Sequence, residues 1–303
     1  MKSALASRRV LITGAAGFIG SRLCSRLREI GAEIHGVSRR SRDDDGISWW
    51  QADLAESQAA HHVMEEVRPD FVFHLAGEVN GARDVAMIAP TIRNNLLSTV
   101  NLLTAACETG EPRVVLAGSA SEPDPDQIPA SPYAASKSAI SIYARTFHAH
   151  YGLPVVNLRP SMVYGPGQED YGKLIPYVAR SLMRGEVPRL SSGVQKFDWV
   201  YVDDVVEAFI RAASAADVEG ESLDVGSGEL VSVHSIVERI VRLAAGTTRP
   251  QFGAVPDRPR ECSLLADVQR TRAVLGWQAG TSLEDGLVTT VEWYREHVHD
   301  APR

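Results

Sequence analysis

The sequence predicts an α/β protein in which a doubly wound parallel sheet is followed by a smaller mixed region. Apolar strand segments alternate with helical segments up to about residue 160, and a glycine-rich turn joins the first strand to the first helix. Such alternation indicates parallel strands, because each parallel crossover needs a helix-sized connection. We therefore expect one domain over 1–160, with returning segments near 198–228, and a second domain over 161–303.

The composition is that of an ordinary globular protein, with 44% hydrophobic and 23% charged residues among 303. The net charge of -7 argues against a nucleic-acid partner, since such proteins usually carry a basic stripe. The 3 cysteines form no C-x-x-C motif, which indicates a reducing, cytoplasmic compartment. The apolar run at 10–12 is too short for a leader or a membrane span, and no histidine spacing indicates a metal.

The first strand is expected over 8–12, and the turn after it contains Gly14, Gly17 and Gly20, with Phe18 and Ile19 between the last two. Helical periodicity begins after this turn. Glycines here allow a close approach of the backbone to a pyrophosphate, which the free N–H groups of the helix start can bind. Strand, glycine turn and helix in this order predict a Rossmann-type dinucleotide site.

The second strand, expected over 33–37, ends in Ser38, Arg39 and Arg40, where an acid would hold the ribose 2′-hydroxyl of NAD. Guanidinium groups suit a 2′-phosphate instead, so the sequence favours NADP(H), with NAD(H) as the alternative. A third short strand over 50–54 ends in Asp53 and Leu54, and this acid is expected to face the adenine amino group.

The next elements are expected as a helix at 57–67, a strand at 71–77, a helix at 94–109 and a strand at 114–119. A helix from 131 and a strand at 154–159 follow. Small residues at the end of the strand over 71–77 would let a cofactor lie close. Ligands of parallel sheets bind at the carboxyl ends of the strands. The residues at these ends are therefore expected along one edge of the sheet: Gly14, Arg39, Ala76 and Ser119.

A helix is expected to begin at Ser131, a favourable N-cap, with Pro132 at its first position. Tyr133 and Lys137 then lie one turn apart on the same face. A free tyrosine has a pKa of about 10, too high for acid/base work at neutral pH. A neighbouring ammonium favours the phenolate, so we expect Lys137 to lower the pKa of Tyr133.

The second domain has no sustained alternation of strands and helices. A loop is expected at 164–168, with extended pieces at 187–190 and 197–202 and a strand and turn at 223–228. Helices are expected at 173–184, 203–214, 232–244, 266–275 and 283–297. Such a region suits the role of a cover over the ligand edge of the first domain.

Several motifs, spread over nearly the whole chain, resemble the extended short-chain dehydrogenases/reductases, specifically the NAD(P)-dependent epimerase/dehydratase group that acts on nucleotide sugars. They are T-G-A-A-G-F-I-G at 13–20, D-L at 53–54, H-L-A-G at 74–77, N-L-L-S-T at 95–99, S-P-Y-A-A-S-K at 131–137, L-R-P-S-M-V-Y-G-P-G at 158–167, F-D-W-V-Y-V-D-D-V at 197–205, D-V-G-S-G at 224–228 and A-D-V-Q-R-T-R-A-V-L-G-W at 266–277.

The resemblance implies that Tyr133 is the catalytic acid/base, that Lys137 binds the nicotinamide ribose, and that Ser119 hydrogen-bonds the reacting oxygen. Ser121 is the alternative to Ser119 and a candidate substrate contact. The cofactor contacts implied by motif and edge together are Gly14, Gly17, Phe18, Ile19, Gly20, Ser38, Arg39, Arg40, Asp53, Leu54, Leu75, Ala76, Gly77, Asn95, Lys137 and Pro160. The domain over 161–303 is then mainly substrate-binding.

The sequence departs from the family pattern around the substrate. Where the 4,6-dehydratases carry Thr-Asp-Glu, this chain has Ser-Ala-Ser at 119–121, with Glu122 one residue on, which disfavours dehydration. The loop from 120 to 130 is short. A family asparagine falls at Met162, and a phosphate-binding arginine falls at Phe197, beside Lys196. The second such arginine is kept as Arg258.

The favoured function is an NADPH-dependent reduction of a 4-keto nucleotide sugar, because the arginines after the second strand suit NADPH. An NAD-dependent nucleotide-sugar 4-epimerase and a reductase of a non-sugar carbonyl are the enzyme alternatives. A non-catalytic NADP-binding module is the alternative from another class. A nucleotide-diphosphate sugar is the expected substrate, and helices 94–109 and 133–150 are candidates for a homodimer interface.

Overall fold

The computed structural model describes residues 4–43, 46–246, 248–257 and 265–297. These residues divide into two compact units. Unit 1 takes the residues up to Pro160 together with Val206–Val225 and Gln269–Trp277. Unit 2 takes Ser161–Val205, the described residues from Gly226 to Val268, and those from Gln278 onward.

The strands, numbered along the chain, are β1 Arg9–Thr13, β2 Glu33–Ser38, β3 Ser48–Gln51, β4 Phe71–His74, β5 Arg113–Ala117, β6 Val155–Pro160, β7 Met162–Tyr164, β8 Lys196–Tyr201, β9 Ser222–Val225 and β10 Leu230–Ser232. Unit 1 holds a seven-stranded sheet in the order β3-β2-β1-β4-β5-β6-β9, with every neighbouring pair parallel. Unit 2 holds a three-stranded sheet in the order β10-β8-β7. The predicted doubly wound, Rossmann-type sheet with a smaller mixed region is therefore confirmed.

The helices are α1 Phe18–Ile30, α2 Ser57–Val67, α3 Ile88–Thr91, α4 Ser98–Thr109, α5 Pro132–Tyr151, α6 Leu174–Met183, α7 Val202–Ser214, α8 Val233–Ala244, α9 Val268–Leu275 and α10 Leu283–His297. A 3₁₀ turn over Val85–Met87 precedes α3, and a π-helical segment over Ile92–Leu97 joins α3 to α4. Within the described ranges, no helix is both long enough and apolar enough to cross a bilayer.

Each unit has its own hydrophobic core. In unit 1 the central strands contribute Leu11, Val72 and Val114, which pack with Leu102 of α4 and Ile140 of α5. Unit 2 buries Tyr164, Trp199, Ile236, Leu287 and Tyr294. In unit 1, the helices pack closely on the apolar strands. This packing holds the ends of the strands in fixed positions.

The observed elements differ from the predicted ones in three ways that matter for the site. The strands β3, β4 and β5 stop at Gln51, His74 and Ala117, so the polar residues expected at strand ends stand in the loops just after them. The single helix predicted over 94–109 is instead the end of a π-helical segment, Ile92–Leu97, followed by α4. The short strands β7 and β10, with three residues each, were not predicted.

Candidate active site

The glycine turn after β1 folds tightly against the end of β4. Gly14 has a φ of +70°, and a Cβ placed on it would lie 2.8 Å from the Ala76 backbone nitrogen. A Cβ on Gly20 would collide with the Gly14 carbonyl oxygen. The turn therefore needs glycine at both positions for steric reasons, which are independent of any ligand.

Gly17 is the N-cap of α1 and offers no side chain to the first helical N–H groups. The first turn of α1 contains no acidic residue either. An uncapped helix start that faces a glycine turn provides donors and a positive dipole end for a phosphate. The residues present thus fit the pyrophosphate of a dinucleotide. Phe18 and Ile19 are the first two residues of the helix.

The end of β2 carries two exposed arginines. The Arg40 backbone N–H donates to Ser38 Oγ at 3.1 Å, and the Arg39 carbonyl accepts from Gln51 Nε2 at 3.3 Å. Their backbones are therefore fixed while both guanidinium groups stand at the surface. The Arg39 charge also acts on Asp53, where it helps to lower the pKa of that carboxyl.

Asp53 is held by an arginine that the sequence analysis did not single out. Its Oδ1 accepts from the Ala55 N–H at 3.0 Å, and its Oδ2 accepts from Arg93 Nη2 at 2.8 Å. Burial alone would raise the pKa of Asp53, but the Ala55 N–H and the Arg93 guanidinium bring it below its ordinary value. Arg93 also binds Glu56 at 2.8 Å. Asp53 is thus an anchored anion, and the buried Leu54 beside it packs into the core.

His74, the last residue of β4, lies in a hydrogen-bond chain whose direction is determined. Thr99 Oγ1 donates to the Asn95 carbonyl at 2.6 Å, so it accepts from His74 Nε2 at 3.0 Å. His74 Nδ1 then accepts from Thr13 Oγ1 at 2.7 Å. Thr13 Oγ1 accepts in turn from the Ala76 N–H at 3.2 Å. A neutral imidazole therefore joins the ends of β1 and β4 to the helix beneath them.

The pKa of His74 agrees with that neutral state. Burial, the larger influence, and the nearby Lys137 charge together lower it to about 3. The Leu75 N–H donates to the Thr13 carbonyl at 3.1 Å, so the segment from Leu75 to Gly77 continues along the turn after β1. This segment is the one that the small-residue pattern predicted to lie against a cofactor.

Asn95 lies in the π-helical segment and connects this edge to α5. Its Oδ1 accepts from the Glu78 N–H at 2.6 Å, and its Nδ2 donates to the Glu78 carbonyl at 3.1 Å. Nδ2 also donates to Ser136 Oγ at 2.9 Å, and Ser136 Oγ donates to the Tyr133 carbonyl at 2.8 Å. Single-turn π segments often occur at functional sites because they turn one side chain out of the helical register.

The start of α5 is built as the sequence predicted. Ser131 is the N-cap, and its Oγ accepts from the Ala134 N–H at 3.2 Å. Lys137 is buried, and its Nζ donates to the Ala117 carbonyl, at the end of β5, at 2.6 Å. A Cβ placed on Gly77 would lie 3.8 Å from this Nζ. Lys137 therefore lies between the ends of β4 and β5, directly at the edge of the sheet.

The expected lowering of the Tyr133 pKa by Lys137 is wrong. Burial raises the pKa of Tyr133 above its ordinary value of 10.0; the hydrogen bond from the Ser119 side chain opposes this, and the Glu122 charge adds to it. The Lys137 ammonium is directed at the Ala117 carbonyl and lies 5.7 Å from the centroid of the Tyr133 ring. Burial also lowers the pKa of Lys137 itself to about 8, while the Glu122 charge raises it.

Ser119 is buried two residues after β5, where several groups fix its position. Its Oγ pairs with Ser121 Oγ at 2.8 Å and accepts from the Ser121 N–H at 3.1 Å. Its own N–H donates to Glu122 Oε1 at 2.8 Å. The next backbone group, the Ala120 N–H, donates to the Pro160 carbonyl at 3.0 Å. Both candidate serines thus lie together, and Ser119 is the one whose side chain lowers the pKa of Tyr133.

The structure describes some, but not all, of the predicted substrate contacts outside unit 1. Met162 lies on β7 and Lys196 on β8, and both are exposed. Phe197, at the position of a family arginine, meets the Trp199 ring edge-on at a centroid distance of 6.2 Å. Arg258 lies outside the described residues. Met162, Lys196 and Phe197 belong to unit 2, whereas the Ser119, Tyr133 and Lys137 set belongs to unit 1.

The residues that the sequence analysis missed are those that hold others in place. Four of them lie inside motifs quoted above but were given no role: Thr13, His74, Thr99 and Ser136. The other three are single polar residues outside any motif, and the structure alone reveals them: Arg93, Ser141 and Asn157. A buried histidine at the end of an apolar strand was the one available indication, since a fully buried polar group needs partners.

Fold and site together define a dinucleotide-binding oxidoreductase fold of the short-chain dehydrogenase/reductase type. A family model described as the NAD dependent epimerase/dehydratase family matches residues 10–226. The chain belongs to this family and is an enzyme of that class.

Individual relatives match over nearly the full length. The chain is 31% identical to a UDP-glucose 4-epimerase of Mycolicibacterium smegmatis, over 95% of this chain and 98% of the relative. It is 30% identical to a probable dTDP-glucose 4,6-dehydratase of Sinorhizobium fredii, over 95% and 93%. A solved structure of MoeE5 in complex with UDP-glucose and NAD is 34% identical, with a TM-score of 0.86 over 95% of this chain and 99% of that one.

Proposed function

We propose that this enzyme oxidises and reduces the C4 position of a UDP-type nucleotide sugar, most simply as a nucleotide-sugar 4-epimerase. The observation that carries the proposal is the cluster of Ser119 and Tyr133, in which the Ser119 side chain lowers the pKa of the tyrosine, with Lys137 buried one helical turn away. A tyrosine–serine pair of this kind can hold a sugar oxygen and move its proton. UDP-glucose 4-epimerase is also the activity named for a relative matched at 31% identity.

The loop after β5 argues against dehydration. The acids that the family's 4,6-dehydratases carry there are replaced by Ala120 and Ser121. Glu122 does not substitute for them, because its Oε1 accepts from the Ser119 N–H and its Oε2 accepts from the Ser141 hydroxyl. A carboxylate bound in this way faces the interior between β5 and α5. Elimination of water would need an acid that faces the substrate instead.

The mechanism assigns a separate task to each of the three residues. A bound nicotinamide supplies the hydride acceptor and donor. Tyr133 Oη takes the proton of the sugar 4-hydroxyl during oxidation and returns it during reduction, while Ser119 Oγ fixes the direction of that oxygen. Lys137 supplies a buried positive charge next to the site, at the ends of β4 and β5. Epimerisation requires that the 4-keto sugar present its other face before reduction.

The second candidate is the NADPH-dependent reduction of a 4-keto nucleotide sugar. It is favoured by Arg39 and Arg40, two exposed cations that directly follow β2 where NAD-binding proteins carry an acid. A 2′-phosphate is a better partner for two guanidinium groups than a 2′-hydroxyl. The solved structure of MoeE5 holds NAD, which favours the epimerase.

Product analysis distinguishes the two candidates. We expect UDP-glucose and UDP-galactose to interconvert in the presence of NAD⁺ with no net change in the cofactor, as followed by NMR of the sugar. Stoichiometric oxidation of NADPH by a 4-keto nucleotide sugar would favour the reductase. The control is Tyr133→Phe, which should bind cofactor and lose turnover. If neither reaction occurs, and UDP does not raise the melting temperature, the nucleotide-sugar proposal is wrong.

We further propose that the protein is a cytoplasmic homodimer. On α5, Ile140 and Phe147 are buried in the core of unit 1, whereas Ile142 and Tyr143 are exposed. Ile92 and Leu97, in the π-helical segment before α4, are exposed as well. Exposed apolar side chains on neighbouring helices suit an interface between two copies. Sedimentation analysis should show twice the chain mass, and Ile142→Glu should shift it to the monomer.

A further inference from the structure

Glu122 is a partly buried carboxylate next to the candidate catalytic serine, and the mechanism above gives it no role. Its Oε1 accepts from the Ser119 N–H at 2.8 Å. Its Oε2 accepts from the Ser141 hydroxyl on α5. The Gly118 backbone approaches so closely that a Cβ there would lie 2.6 Å from Oε1. Glycine at 118 therefore leaves room for this side chain.

The direction of these hydrogen bonds shows that Glu122 acts only as an acceptor. Asn157 Nδ2 donates to Ser141 Oγ at 2.6 Å, so the Ser141 hydroxyl has its proton free to give to Glu122. The Ser119 backbone nitrogen can only donate. Each carboxylate oxygen thus accepts a hydrogen bond, which is the pattern expected of an ionised carboxylate.

The charged groups around Glu122 come from three elements. Lys137 on α5 and Arg159 on β6 are the cations that lower the pKa of Glu122, and burial, the largest influence, raises it. Arg159 is shared, since its Nε also binds Asp224 of β9 at 2.7 Å. Tyr133, on α5, is the other titratable group that the Glu122 charge affects.

We propose that Glu122 is a positioning residue, which fixes the Ser119 end of the Ser119–Tyr133 pair from the buried side. The loop between β5 and α5 is short. The Glu122 side chain binds both the backbone of this loop, at Ser119, and the helix, at Ser141. Loss of the carboxylate frees the Ser119 backbone relative to Tyr133. Its negative charge also raises the pKa of both Tyr133 and Lys137.

The test rests on the proposed role of Tyr133 but includes a measurement that needs no substrate. Glu122→Gln keeps the shape of the side chain and removes the charge. The titration of Tyr133 is isolated by ultraviolet difference spectra between each protein and the same protein with Tyr133→Phe, which cancels the other tyrosines. We expect Glu122→Gln to lower the Tyr133 titration midpoint, because the Glu122 charge raises the pKa of Tyr133. Asp124→Asn removes a charge from an exposed position in the same loop and should leave the midpoint unchanged.

Turnover provides the second measurement once a substrate is in hand. Glu122→Gln should lower kcat with little change in KM and move the pH profile to lower pH. The substrate contacts remain, but an amide Nε2 replaces the oxygen that accepts from the Ser141 hydroxyl, so the loop is held less firmly on α5. An unchanged Tyr133 midpoint in Glu122→Gln would overturn the proposal, whatever the substrate proves to be. Inactivity of the wild-type protein would instead count against the proposed function alone.

A second variant keeps the proposal testable if Glu122→Gln does not fold. Ser141→Ala removes the hydroxyl donor to Oε2 and leaves Glu122 charged. The Ser141 hydrogen bond lowers the pKa of Glu122, so its loss should move the acid limb of the pH–kcat profile to higher pH. An acid limb at the wild-type position would contradict a positioning role for Glu122.

Discussion

The ammonium of Lys137 donates a 2.6 Å hydrogen bond to the carbonyl oxygen of Ala117, the last residue of β5. This contact ties the second turn of α5 to the sheet edge where Ser119 follows. A buried cation with a backbone partner is expensive to desolvate, and a purely structural role would be served equally well by an apolar side chain. We therefore attribute its presence to chemistry at the site.

Lys137→Met tests this assignment, because methionine keeps a long unbranched side chain and removes the charge. We expect kcat/KM to fall by about 10²–10⁴-fold, the usual range for a group that assists proton transfer. The melting temperature should change little, since the lost hydrogen bond is offset by the relief of desolvation. The matched control is Lys173→Met, in which the lysine is only partly buried. A variant with wild-type kcat/KM would contradict the assignment.

The pH dependence follows from the same burial. The pKa of Lys137 is lowered from 10.5 to about 8, so the charge is present below pH 8 and is lost as the pH rises through that value. Activity should therefore decline above about pH 8 in the wild type. Lys137→Arg carries a charge that does not titrate in this range, so any residual activity of that variant should lack the decline.

The glycine turn permits a prediction in which steric strain is the only change. Gly14→Ala places a Cβ at a φ of +70° and 2.8 Å from the Ala76 nitrogen. We expect a loss of about 1–3 kcal/mol in the free energy of unfolding, together with weaker cofactor binding. Gly81→Ala is the control, because nothing lies within 4 Å of its added Cβ. Denaturant unfolding of the two variants should separate them, and equal midpoints would show that the turn adapts.

The elements that sequence predicted well are those determined by local patterns. Gly14, Gly17 and Gly20 define a turn by spacing alone, and Ser131 with Pro132 defines a helix start by capping chemistry. The alternation of strands and helices indicates that the strands of the sheet run parallel. Each of these depends on residues near one another in the chain, so a single sequence is enough to read them.

The features that sequence did not predict depend on residues far apart in the chain. His74 is joined to Thr13 across 61 positions, and Asp53 to Arg93 across 40. The raised pKa of Tyr133 arises from burial, which a helical i, i+4 spacing does not report. The π-helical turn at Asn95 has no propensity pattern of its own. Tertiary contact rather than local preference decides all four.

The choice of cofactor can be tested at the end of β2. Arg39 and Arg40 stand exposed there, and the proposed 2′-phosphate contact gains from their charge. If the enzyme prefers NADP(H), Arg39→Asp should reverse the preference, since a carboxylate repels the phosphate and accepts from a ribose hydroxyl. Calorimetric affinities for NADPH and NADH in both proteins provide the measurement. Tighter binding of NADH by the wild type would contradict the NADP(H) prediction and favour the epimerase.

His74 gives the clearest dependence of stability on pH. Its pKa is about 3 in the folded protein against 6.5 when exposed, because burial excludes the charged imidazole. A group whose pKa is lowered by folding contributes stability that is complete above its unfolded pKa and is lost as the pH falls from there toward the folded value. The free energy of unfolding should therefore decrease by about 2 kcal/mol between pH 7 and pH 5 through His74 alone.

His74→Gln separates this contribution from all other titrations. The variant should be less stable at pH 7, because glutamine cannot both accept from Thr13 and donate to Thr99 with imidazole geometry. The difference between pH 7 and pH 5 should nevertheless shrink by about 2 kcal/mol, since glutamine binds no proton. Urea unfolding at the two pH values measures that difference directly. If wild type and variant lose equal stability on acidification, then His74 takes up a proton in the folded protein and the neutral hydrogen-bond chain from Thr13 to Thr99 is incorrect.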